Sequence, residues 1–161
     1  KGVARAHERS PNASASTFKW AMSQLEGDIP EDAIRLFQKT IDIDPNHLMA
    51  YNLLGKSYGR KKMYDQEVAA YKKALEIDPN FALVHFNLGI VLGIQKKFES
   101  AAPHFLKAIE LDPENAGAQY LLGKALYREE NDDEALEYFR RSLLLGDERA
   151  QEYIDFLEDS S

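Results

Sequence analysis

This sequence predicts an all-α fold of tandem helix pairs, and two observations carry the prediction. The first is a period: Pro45, Pro79 and Pro113 stand 34 residues apart and close the near-identical phrases DIDP, EIDP and ELDP. The second is helical apolar spacing inside each period, as in Ala33, Phe37 and Ile41, or Tyr71, Ala74 and Leu75. Gly55, Gly89 and Gly123 mark the same slot of successive periods, with Ala21 in the first. One residue before the marker come Trp20, Leu54, Leu88 and Leu122. Further on come Ala33, Glu67, Ala101 and Ala135, then the aromatics Phe37, Tyr71, Phe105 and Phe139, then the small residues Thr40, Ala74, Ala108 and Ser142.

In chain order, residues 1–13 show no apolar period and read as a mildly basic tail or linker, with Ser10-Pro11-Asn12 as a breaker. Four repeats follow, at 14–47, 48–81, 82–115 and 116–147. A polar break in each (GDIPED, KKMYDQ, KKFES, ENDDE) divides it into two helices of about a dozen residues joined by a tight turn. Small residues let the two backbones approach, and the aromatic fills the gap between them. Proline ends the second helix, because the residue before it is driven out of the helical region. Asn46, Asn80 and Asn115 suit the start of the next helix. The fourth repeat has Asp147 in place of proline, and residues 148–158 place Ala150, Tyr153, Ile154 and Leu157 on one face of a terminal helix. Such a helix covers the apolar end of an array. Repeats and terminal helix together are expected to form one domain, 14–161.

These residues resemble the tetratricopeptide repeat, whose 34-residue helix–turn–helix signature has Trp/Leu-Gly, Tyr, Ala, Phe and Pro at these spacings. The resemblance covers residues 14–147. It implies an α-solenoid, a right-handed superhelix of antiparallel helix pairs with a concave and a convex face. Functionally it implies a scaffold for protein–protein contact.

Three departures stand out. Glu67 occupies an alanine slot between packed helices, where an unpaired carboxylate costs several kcal/mol, so its stem should snorkel to water or its charge should meet a partner. Pro103 falls inside a second helix and is expected in its first turn. Ala21 and Thr17 replace a glycine and an aromatic, which predicts looser packing of the first helix.

Composition limits the function. The chain has 161 residues, 44% apolar and 29% charged, with a net charge of -7. An acidic chain lacks the basic footprint that nucleic acid requires. It has no cysteine, which excludes disulfides and thiolate metal sites. No apolar run reaches membrane-spanning length. The chain begins at Lys1 and not Met, which points to trimming or processing and to an upstream segment. The compartment stays open, with the cytoplasm favoured over export. His7, His47, His85 and His104 lack metal-ligand spacing, Gly89 and Gly93 do not form a phosphate loop, and no catalytic constellation emerges. Neither an enzyme nor a cofactor is expected.

The most apolar stretch, Phe81–Gln95, is apolar on nearly every side, which buried helices are. The repeat accounts for Leu88, Val91 and Leu92. It leaves the strip Leu83, Phe86, Ile90 and Ile94, which in this fold faces the concave groove. The same slots hold Asn52, Lys56 and Arg60 in the second repeat and Tyr120, Lys124, Tyr127 and Arg128 in the fourth. The expected site is thus an apolar strip flanked by basic clusters, with Asn87 as a backbone-directed donor. It suits a peptide that carries apolar and acidic side chains. It does not match the dicarboxylate clamp known in this family, because Gly117 and Leu121 stand where cations are needed. The alternative is self-assembly, in which another copy or the N-terminal segment covers the strip.

Overall fold

The computed structural model describes residues 11–159, and the residues expected as an N-terminal tail lie largely outside that range. The chain divides into two compact units, 1–79 and 80–161. The first contains α1 (Pro11–Glu26), α2 (Pro30–Ile43), α3 (Leu48–Arg60) and α4 (Tyr64–Ile77). The second contains α5 (Ala82–Ile94), α6 (Phe98–Leu111), α7 (Ala116–Arg128) and α8 (Asp132–Leu144), then a 3-10 turn (Glu148–Ala150) and α9 (Gln151–Asp159). Among the described residues there is no strand, and the architecture is an all-α solenoid of helix pairs.

One turn chemistry closes every pair. Asp28, Lys62, Lys96 and Glu130 occupy the same slot of their repeats, and all four have φ between 57 and 60°. Each is followed by an amide that donates back five residues, for example Met63 to the Tyr58 carbonyl at 3.0 Å and Lys97 to that of Leu92 at 2.9 Å. This is the Schellman ending, made here with non-glycine residues. Second helices end differently. Asp44 and Asp78 are extended, donate to Thr40 and Ala74, and hand the chain to proline. The next helix is capped one residue later than the sequence suggests: His47, and not Asn46, accepts from the Ala50 amide at 3.2 Å, while Asn115 caps α7 as expected.

Inside each pair the aromatic lies on the marker glycine. A Cβ built on Gly55 would stand 2.5 Å from the Tyr71 ring, one on Gly89 2.6 Å from Phe105, and one on Gly123 2.9 Å from Phe139. The first unit buries Ala21, Leu25, Ala33, Leu36, Phe37, Leu53 and Leu54. The expected looseness of α1 is therefore absent at Ala21, which is fully buried, although Trp20 on the same helix is 56% exposed. Pro103 is the sixth residue of α6, in its second turn and not its first. It forfeits the bond an amide there would give to the Glu99 carbonyl.

The last repeat is shortened. Gly146, at φ 92°, replaces the extended aspartate and Asp147 replaces proline. Asp147 then accepts from the Arg149 amide and starts the 3-10 turn. Beyond it Ala150, Ile154 and Leu157 are buried with Phe139 and Ala135, so α9 covers α8.

Candidate binding faces

In the first unit the structure thins out the expected site. Asn52 is only 3% exposed, so it belongs to the packing of α3 and not to a binding surface. Arg60 is also committed: it donates to the Leu25 carbonyl at 2.5 Å and pairs with Asp28 at 3.2 Å, while the neighbouring Lys61 pairs with Glu31. That bond holds the Glu31 carboxyl below its usual range. Lys56 remains exposed.

Glu67 neither snorkels nor lies free. It is buried, its carboxylate sits against Gly59, and the Tyr71 hydroxyl donates to it. Burial raises the Glu67 pKa, and the hydrogen bond opposes that rise. Burial, reinforced by the Glu67 charge, also raises Tyr71.

The second unit holds the open surface. On α5, Leu83 and Ile94 are exposed, the latter by 54%, while Phe86, Asn87 and Ile90 are half-buried. Phe86 meets Phe105 edge-on at 6.3 Å and lies against Gly117. Ile90, Gly93 and Ile94 of α5, Phe98 and Phe105 of α6, and Leu121, Lys124 and Ala125 of α7 line a cleft of about 240 Å³. The walls are apolar except at Lys124, whose ammonium lies 5.4 Å from the centre of the Tyr120 ring. Among the described residues Lys124 has no carboxylate partner.

Tyr120 is not an open anchor, as the sequence suggested. It is buried, with Phe139 and Tyr153 at its edges and the Arg149 guanidinium 4.4 Å from its ring centre. Arg149 is held there by two bonds to Asp147, at 2.8 and 2.6 Å, which keep the Asp147 carboxyl below its ordinary range. Tyr127 and Arg128 join Glu152, Tyr153 and Phe156 around a second cleft of about 380 Å³. Phe156, 56% exposed, meets Tyr127 edge-on at 6.3 Å.

The structure thus brings Ile90, Ile94 and Lys124 to one cleft and Tyr127 and Arg128 to another. Phe98, Leu121 and Phe156 were missed by the sequence reading. Phe156 was findable: it stands two residues after Ile154, as Ile90 does after Leu88 and Lys124 after Leu122. His85 and His104, separate in sequence, meet with Nδ1 atoms 3.2 Å apart. Among the described residues no group of three or more His, Asp or Glu side chains could hold a metal ion, and no helix is long and apolar enough to cross a membrane.

Comparison with known proteins agrees with this geometry. Tetratricopeptide repeat models match residues 15–47 and 86–153, and a TPR repeat model matches 63–93. No curated protein matches. Among solved structures, a crystal structure of MamA protein aligns with a TM-score of 0.86 at 22% identity, covering 91% of this chain and 81% of that one. MamA 41-end from Desulfovibrio magneticus RS-1 gives 0.85 at 21%, covering 91% and 84%. PilF from Pseudomonas aeruginosa gives 0.78 at 26%, covering 91% and 68%. With its period, its glycine-on-aromatic helix pairs and repeat models that match residues 15–47 and 63–153, the chain belongs to the tetratricopeptide repeat proteins, which are scaffolds for protein–protein contact.

Proposed function

We propose that the α5–α7 face docks a peptide segment that places an apolar side chain beside an acidic group. Lys124 carries this reading. Lys124 is half-buried as a residue and lines the wall of an otherwise apolar cleft, and among the described residues no carboxylate pairs with it. A ligand carboxylate would meet an opposite charge there beside apolar surface. Ile90 and Ile94 are the apolar anchors, Leu83 and Phe86 extend the strip along α5, and Tyr127, Arg128 and Phe156 offer a second contact. Affinity on the order of micromolar, about -8 kcal/mol, suits a site of this size.

The test is a titration of acidic-apolar peptides by calorimetry against wild type, Ile90→Asp and Lys124→Glu. Each variant should weaken binding about tenfold or more. Equal affinity for all three proteins would sink the proposal. The exposure of Leu83 and Ile94 also suits a second reading, coverage by another copy. Light scattering that shows a stable dimer, lost in Ile94→Asp, would favour it.

A further inference from the structure

One slot of the repeat is filled three times and left open once. It stands four residues after the marker and holds Leu25, Gly59, Gly93 and Tyr127 in turn. Leu25 fills it with its own side chain and is 4% exposed. At Gly59 the Glu67 carboxylate, from the second helix of the pair, occupies the space. Tyr127 is half-buried against Tyr153 and Phe156. At Gly93 the residue in the Glu67 slot is Ala101, too short to reach, and a Cβ built on Gly93 meets nothing within 4 Å. The space left over belongs to the α5–α7 cleft.

The first unit is a template for what fills such a space. Leu25 is buried in one cluster with Phe37 and Leu53, and Met22 packs against it. Two periods on, the same slots hold Phe105, Leu121 and Ile90, and all three line the cleft beside Gly93. What lies over the slot differs. In the first unit Arg60 donates to the Leu25 carbonyl and pairs with Asp28, so the chain closes over its own leucine. In the second unit Lys96 stands in the slot of Asp28, with the same positive φ. It cannot pair with Arg128, the counterpart of Arg60, which lines the second cleft. The cations nearest the open slot are thus Lys124, in its wall, and Lys96, three residues after Gly93.

We propose that the Gly93 slot takes a leucine-sized, branched side chain from the ligand, while a carboxylate of the same ligand meets Lys124. The slot receives from outside what Leu25 supplies from within. This inference rests on the reading of the α5–α7 face as a docking surface and adds which side chain that surface selects. Alanine in the slot leaves the Phe105 and Leu121 walls without contact, and dispersion contacts are what a filled slot gains.

One arm of the test needs no ligand. At a helix position that touches nothing, alanine is at least as favourable as leucine. In a slot that receives leucine the order reverses, so Gly93→Leu should melt about 2–4 °C above Gly93→Ala. A melt at or below that of Gly93→Ala would overturn the proposal. The binding arm uses the blocked peptide Ac-SDELEDS-NH2 and its counterpart with alanine for leucine, titrated to millimolar concentration and followed by NMR. Wild type should bind the leucine peptide about tenfold tighter. Gly93→Leu, its slot filled from within, should lose that preference. Retention of the preference in Gly93→Leu would put the leucine elsewhere and overturn the assignment. Equal affinity of wild type for both peptides, abolished in Lys124→Glu, would overturn the leucine slot and leave the docking face standing. Binding of neither peptide would take down both.

Discussion

Glu67 and Gly59 face each other across the α3–α4 pair: a Cβ on Gly59 would stand 2.7 Å from a carboxylate oxygen of Glu67. The glycine leaves room for a group that every other repeat replaces with alanine. The Tyr71 hydroxyl supplies one hydrogen bond, and burial supplies the penalty.

That penalty should be visible in the pH dependence of stability. Glu67 titrates above its ordinary value of 4.5, so the folded chain holds this proton more tightly than the unfolded chain. Its contribution is therefore greatest below the unfolded value and is lost as pH rises through the folded one. Urea unfolding at pH 4 and pH 7 should show Glu67→Gln gaining stability on wild type over that interval. An unchanged difference between the two pH values would contradict the assignment.

Two glycines of α5 should respond to alanine with opposite sign. Gly89→Ala drives a methyl to 2.6 Å from the Phe105 ring and should cost about 1–3 kcal/mol. Gly93→Ala meets nothing within 4 Å and should gain about 0.5–1 kcal/mol from helix propensity. Thermal melts of both variants check the pair.

Pro103→Ala restores an amide in the second turn of α6. The expected gain is about 1–3 kcal/mol, reduced by the extra freedom of the unfolded chain. A neutral or negative change in chemical denaturation would mean that the helix already accommodates the proline without strain.

Asp147→Ala removes both the cap of the 3-10 turn and the carboxylate that holds Arg149 over Tyr120. The cap is worth about 1 kcal/mol. The ion pair adds about 0.5 kcal/mol, since Arg149 is largely exposed and screened. The Asp147 pKa is lowered from 3.8, so the pair contributes above that value and is lost as pH falls through the folded one. Wild type and variant should therefore converge in stability under acid.

The helix pairs were legible because each fixed slot has one steric job, as when Gly89 admits Phe105 and Gly123 admits Phe139. The candidate face was legible only in part. Slot counting located Ile90, Ile94 and Lys124, but it could not see that Arg60 is spent on Asp28 and Leu25, or that Asn52 is buried. The Arg60 partners lie 32 and 35 residues away in sequence, which no local period encodes. Phe156 was hidden by the two residues missing from the last repeat, a shift that moves α9 out of the 34-residue count while keeping its packing.

Helix α9 closes the core with Ile154 and Leu157 and lines the second cleft with Phe156. Seal and contact are therefore one element, nine residues long and at the end of the described chain. α9 is short and packs mainly on α8, whereas α7 packs on both α6 and α8, so amide hydrogens of α9 should exchange by local opening sooner than those of α7. A ligand seated on Tyr127 and Phe156 can bind only while α9 is closed. Such a ligand must therefore slow that exchange by a factor of one plus the ratio of free ligand concentration to Kd.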